Sequence, residues 1–181
     1  MNIIGFLQNF NSVENGDLER CLTSMRMVSD EIYVYDDFST ENVKPVYEAF
    51  DCIVIYGREN DFTREIYHKD MLLKKLLSDH PRCDWIVWFD SDAVLGDFFT
   101  DRERVNVALE EVSKHDRAQV YLHNLNLWRS NTWYRLDTEY NDLWHCVFWL
   151  ITGALHYSPT GGLHQRQMPI PFSPENDGDQ I

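Results

Sequence analysis

Trp85-Ile86-Val87-Trp88-Phe89-Asp90-Ser91-Asp92 is the stretch on which the reading of the fold turns. Five apolar residues run without interruption, the pattern of a strand covered on both faces in a sheet flanked by helices. Acids follow at once. Two carboxylates two positions apart at the mouth of such a strand can share a hard divalent cation, Mg²⁺ or Mn²⁺, which prefers oxygen ligands. In an acidic chain the same pair can equally be two solvated loop carboxylates. The strands around it decide between these readings.

Working backward from Trp85, residues 64–80 carry Met71, Leu72, Lys74, Lys75 and Leu76 in favourable helix chemistry, and Pro81 closes the segment. Residues 52–56 form a β-rich run ending at Gly57, with a helix-like stretch over 43–50 before it. Residues 31–35 form another run, ending in Asp36-Asp37. Leu18, Cys21, Leu22 and Met25 recur at i, i+3, i+4 and i+7, which predicts a helix over 18–28 with Asp17 as its N-cap. Residues 3–10 open the chain as a short apolar strand. This alternation predicts an α/β fold with a mostly parallel, Rossmann-like sheet, whose ligands sit beyond the carboxyl ends of the strands. The polar ends Gln8 to Asn11, Asp36-Asp37 and Asp90 to Asp92 then fall on one sheet edge.

Working forward, residues 101–114 make a further amphipathic helix with Val105, Ala108, Leu109 and Val112 inward, and residues 118–128 return as a strand. The pattern then becomes mixed, with a short strand over 133–136. A single domain over residues 1–168 is expected, followed by a flexible tail over 169–181, rich in proline and acids. A chain of 181 residues with 44% hydrophobic content can bury one substantial core.

The formal net charge of −14 argues against general affinity for nucleic acid or for an anionic membrane. An anionic substrate would need a locally recruited cation. The cysteines at 21, 52, 83 and 146 form no C-x-x-C pair, which disfavours a zinc site or redox dithiol and leaves free thiols. The first residues carry no basic flank or long apolar stretch, the apolar run over 147–155 is too short to span a bilayer, and no N-x-S/T acceptor occurs. A cytoplasmic location is the resulting expectation.

In order and spacing, the opening strand with Phe10-Asn11, the helix with Leu18-Glu19-Arg20-Cys21-Leu22 and Ser24, the turn Tyr35-Asp36-Asp37-Phe38-Ser39-Thr40 and the segment Asp84 to Asp92 resemble the family 2 type glycosyltransferases of GT-A fold. That family usually has glycine where Phe38 stands. The resemblance implies transfer of a sugar from a nucleotide-diphosphate donor, UDP- or GDP-linked, to an acceptor hydroxyl, with Mn²⁺ or Mg²⁺ as cofactor. It implies that Asp37 contacts the donor base, that Gln8 lies beside the base or ribose, that Asn11 belongs to the same donor site, and that Asp92 is the principal metal ligand with Asp90 reaching ribose or metal. It also implies that Lys69 faces the donor diphosphate and that a late histidine completes the metal shell, His164 first and His156 as substitute. For these residues an Asx-type turn cap at Asp37, a solvated helix surface at Lys69 and a surface histidine at 164 are the plainer readings.

An inverting member needs a carboxylate as general base. Asp137, Glu139 and Asp142 are the available acids, with Asp137 and Asp142 the candidates, and no flanking pattern separates them. Arg135 could grip phosphate or pair with a nearby acid. Trp128, Trp133, Trp144 and Trp149 could stack on a sugar or simply fill a core. Two other functions compete. Asp90-Ser91-Asp92-Ala93-Val94 fits the nucleophile motif of haloacid-dehalogenase-like phosphatases, although there the motif opens the domain and needs a later lysine, and only Lys114 follows here. A non-catalytic nucleotide-sugar-binding module is the other, favoured by the short acceptor half.

Overall fold

The structure is a computed structural model, and it describes residues 1–88, 90–114, 119–123, 144–150, 155–156 and 170–171. Strand β1 (Ile3–Asn9) leads to helix α1 (Asp17–Val28), β2 (Glu31–Asp36), α2 (Lys44–Ala49), β3 (Ile53–Tyr56), α3 (Glu65–Asp79) and β4 (Trp85–Trp88). Helix α4 (Arg102–Lys114), β5 (Gln119–His123) and β6 (Trp144–Leu150) follow, and β7 (Leu155–His156) pairs antiparallel with β8 (Ile170–Pro171). Short 3₁₀ turns at Phe62–Arg64 and Asp97–Thr100 precede α3 and α4.

The main sheet has the order β3-β2-β1-β4-β6-β5. The first four strands are mutually parallel, and β6 runs antiparallel to both β4 and β5. The carboxyl ends of β1, β2 and β4 therefore share one edge. Asn9 pairs with Asp36 and Phe6 with Trp88, so Asp37 and Asp90 lie just beyond the last paired residues of β2 and β4, and Gln8, paired with Tyr35, lies in the last rungs of β1 at about the same level.

Two apolar layers enclose the sheet, and strand alternation assigns residues between them. Ile3, Leu7, Ile32, Val34, Trp85 and Val87 pack with Leu18, Leu22 and Met25 of α1, Tyr47 of α2, and Val105 and Leu109 of α4. Ile4, Phe6, Tyr33, Tyr35, Ile86 and Trp88 pack instead with Leu72, Leu73 and Leu76 of α3. Gly5 lets α1 approach: a Cβ there would lie 2.7 Å from Met25 Sδ and 2.8 Å from Ser29 Oγ.

The predicted elements through residue 114 are all present, with ends shifted by a residue or two. Asp17 is not the N-cap: Gly16, at φ 75°, occupies that position and Asp17 is the first helical residue. A left-handed backbone there favours glycine, and the Asp17 carboxylate pairs instead with Arg20. Strand β6 was not anticipated. Residues 124–128 and 133–136, for which strands are expected, lie outside the described residues. Cys21 and Cys83 are buried free thiols and Cys52 is a partly buried one. No described helix is long and apolar enough to cross a membrane.

Candidate functional site

The alternation that sorts the core also separates the two neighbouring acids at the end of β2. Asp36 falls on the α2 face. Its Oδ1 accepts from the Ser39 amide at 2.9 Å, and its Oδ2 accepts from the Tyr47 hydroxyl at 2.6 Å and from Ser39 Oγ at 2.9 Å. Asn9 Nδ2 donates to Tyr47 Oη at 2.8 Å. Burial first, and then the bond to Asp36, push the Tyr47 phenol far above its ordinary range, so it stays a donor. The Asx-type cap of this turn is thus the work of Asp36.

Asp37 falls on the α3 face and is fully buried. Its amide donates to Asn9 O at 2.8 Å, which fixes the residue at the end of β1. Asn60 Nδ2 donates to Asp37 Oδ2 at 3.0 Å and Gln8 Nε2 approaches the same oxygen at 3.4 Å. Asp37 Oδ1 has no hydrogen-bond partner, and neither do Gln8 Oε1 and His68 Nδ1. His68 lies 3.8 Å from that open oxygen and stacks on Tyr35, with ring centroids 4.3 Å apart. Burial lowers the His68 pKa, with Asp37 opposing, so the ring is neutral near pH 7.

Phe38 follows at φ 62° with its ring half exposed. The left-handed backbone explains why the resembling family has glycine here, since a side chain is strained in it. Asn11, at φ 51°, accepts at Oδ1 from the Thr40 amide at 2.8 Å and the Glu41 amide at 3.3 Å. Its side chain fastens the loop after β1 to the turn after β2.

Asp90 and Asp92 are both exposed beyond β4. Three contacts tie their loop to α1 and the turn before it. Ser12 Oγ lies 3.1 Å from Ser91 Oγ, Cys21 Sγ donates to Asp90 O at 3.5 Å, and Leu95 N donates to Ser24 Oγ at 3.2 Å. Burial first, then the charges of Asp92 and Asp90, push the Cys21 thiol well above its usual range. Both acids therefore sit over the amino-terminal half of α1. Among the described residues no three His, Cys, Asp or Glu side chains are grouped to hold a metal ion. Two exposed carboxylates at one turn are oxygen donors of the kind that would suit a hard divalent cation such as Mg²⁺ or Mn²⁺.

Lys69 is not on a solvated surface. It is 3% exposed, pairs with Glu65 at 2.5 Å and lies over the Trp88 ring at 4.1 Å. Asp137, Asp142 and His164 lie outside the described residues, as do Glu139 and Arg135. His156 lies in β7. The sequence reading missed Asn60 and His68. One signal could have found the latter: Glu65, His68 and Lys69 occupy the buried stripe that Leu72, Leu73 and Leu76 continue.

No family model and no curated protein matches the chain. Solved structures do. Residues 1–349 of TarS from S. aureus in complex with UDP superpose with a TM-score of 0.52 at 17% identity, over 72% of this chain and 37% of that one. The same protein without that ligand gives 0.51 at 16% identity over the same shares. A mannosyltransferase from Pyrobaculum calidifontis in complex with GDP-Man and Mn²⁺ gives 0.44 at 16% identity, over 62% of this chain and 32% of that one. The chain thus has the α/β fold of the GT-A glycosyltransferases, and it spans little more than a third of the TarS fragment it matches.

Proposed function

We propose that this chain is a glycosyltransferase domain that binds a nucleotide-diphosphate sugar at the carboxyl edge of its sheet and passes the sugar to an acceptor hydroxyl. One observation carries the reading: a fully buried carboxylate whose Oδ1 has no hydrogen-bond partner, Asp37, follows one strand, while two exposed carboxylates, Asp90 and Asp92, follow another on the same edge. Buried polar groups near ring-sized ligands read bases, and exposed acid pairs at strand mouths hold cations. In this assignment Asp37 and Gln8 meet the base or ribose, and Asp90 and Asp92 hold Mn²⁺ or Mg²⁺. When bound, that cation supplies charge neutralisation for the diphosphate as it leaves.

Asn11 keeps the two base-side loops together, and Lys69, held by Glu65, places a positive charge beneath β4. The general base that deprotonates the acceptor is proposed to be Asp137 or Asp142, and His164 is proposed as a further metal ligand. UDP bound to the TarS fragment of the same fold supports a nucleotide donor. Calorimetry tests the proposal. UDP or GDP should bind with Mn²⁺ and bind far more weakly with EDTA. Equal binding in both conditions refutes the metal bridge, and absence of binding in both refutes the site.

A further inference from the structure

The acids after β4 alternate with the residues that anchor them. Asp90, Asp92 and Val94 are exposed, while Ser91, Ala93 and Leu95 are partly buried, with Ala93 and Leu95 packed against the core layer that holds α1. The inward residues thus set the backbone from which the carboxylates project. Ser91 Oγ lies 3.1 Å from Ser12 Oγ, Asp90 O accepts from Cys21 Sγ–H at 3.5 Å, and Leu95 N donates to Ser24 Oγ at 3.2 Å. Ser24 stands out on its helix. The other buried residues of α1 are Leu18, Cys21, Leu22, Met25 and Val28, and a serine among them is a poorer helix former than alanine and brings a polar atom into an apolar layer. Its hydroxyl donates back to Cys21 O at 3.1 Å, which commits the proton and leaves the oxygen to accept the Leu95 amide. Ser12 is fixed to the same helix, since its carbonyl accepts from Leu18 N at 2.8 Å.

We propose that Ser24, Cys21 and Ser12 are positioning residues that preset the spacing of the Asp90 and Asp92 carboxylates, and so govern how tightly a divalent cation and the diphosphate it bridges are held. The inference rests on the reading of Asp90 and Asp92 as cation ligands, and goes beyond it in assigning the shape of the site to α1 and the turn before it. Two carboxylates at one turn repel each other until a cation arrives, and a loop free to relax spreads them apart. Gripping the loop at residues 90, 91 and 95 opposes that relaxation, so less ordering is left for the cation to bring about. All three gripping side chains are buried, Cys21 completely, so they act through the loop and not on the ligand. Ser24 holds the end after Asp92, while Cys21 and Ser12 hold the end before it. Loss of Ser24 Oγ leaves the Leu95 amide without this acceptor and frees the loop on the Asp92 side. Asp37, on the opposite face of the sheet, keeps its surroundings.

The test is the Mn²⁺ concentration that half-saturates the Mn²⁺-dependent gain in UDP or GDP affinity. It is read by calorimetry on the full chain for the wild type, Ser24→Ala, Ser12→Ala and Tyr33→Phe, with free Mn²⁺ followed by electron paramagnetic resonance. Ser24→Ala should raise that concentration about tenfold, the lower end of what lost outer contacts around a metal site cost, and Ser12→Ala about threefold, because Cys21 still holds the same end. Tyr33→Phe is the control for a merely structural loss. It removes a hydroxyl bonded to Asp79 Oδ2 at 2.8 Å on the α3 face, and should lower the urea midpoint much as Ser24→Ala does while leaving the half-saturating concentration unchanged. Ser12→Ala, a loop substitution, carries the test if Ser24→Ala is poorly folded. Shifts in Ser24→Ala and Ser12→Ala no larger than in Tyr33→Phe overturn the positioning role and leave the cation site standing, because the wild type still shows Mn²⁺ dependence. Nucleotide binding that is absent from the wild type, or indifferent to Mn²⁺ there, overturns the cation reading and this inference with it.

Discussion

Asp36 and Asp37 are neighbours in sequence and opposites in role, and the difference comes from strand alternation alone. Asp36 is consumed by Ser39 and Tyr47, whereas Asp37 keeps an oxygen open toward the α3 face. The sequence made the pair conspicuous but could not tell which acid served the turn, because that depends on which sheet face each one meets. Removing Asp36 orphans the buried Tyr47 hydroxyl and the part-buried amide and hydroxyl of Ser39, so Asp36→Ala should lower unfolding stability by about 3 kcal/mol in urea titrations. Asp92→Asn should leave stability within about 0.5 kcal/mol, because the side chain is exposed. It should nonetheless abolish the Mn²⁺ dependence of nucleotide binding. A large stability loss in Asp92→Asn would mean that the acid is structural.

At the scale of elements, the first half of the chain was legible because each strand is an apolar run and each helix shows a period near four residues. β6 was not. Its sequence, Trp144-His145-Cys146-Val147-Phe148-Trp149-Leu150, lacks clean alternation, and its partner β4 lies some sixty residues earlier, so no local signal announces the pairing. The contact of α1 with β1 was equally silent, since a lone glycine in a strand does not say what approaches it. Gly5 is where Met25 and Ser29 come closest, and both are buried. Gly5→Ala should therefore cost about 1–3 kcal/mol by overpacking, read as a lowered urea midpoint at unchanged slope. Stability at the wild-type level would show that α1 can slide outward on the sheet.

For the whole molecule, thirty acids against sixteen lysines and arginines dominate behaviour in solution. Self-repulsion at low salt opposes the compact state. Raising KCl from about 10 mM to about 150 mM shortens the screening length from about 30 Å to about 8 Å, so the melting temperature should rise by a few degrees. A fall over that interval would mean that the surface ion pairs, such as Lys44–Glu48 and Lys114–Glu111, outweigh the repulsion.

Because β5 runs parallel to β4 and β6 runs back against both, the chain leaves the sheet at His123 and re-enters it at Trp144 on the rim that carries Asp90 and Asp92. His123 and Trp144 are themselves paired, so both ends of the intervening span are anchored to one rung of the ladder. For protein engineering this makes the span a cassette. Its content can be exchanged between two fixed posts while β1, β2 and β4 keep their places, and whatever replaces it starts and ends on the rim that carries Asp90 and Asp92. Evolution has the same freedom, because such a swap leaves β1, β2 and β4 and the acids that follow them untouched.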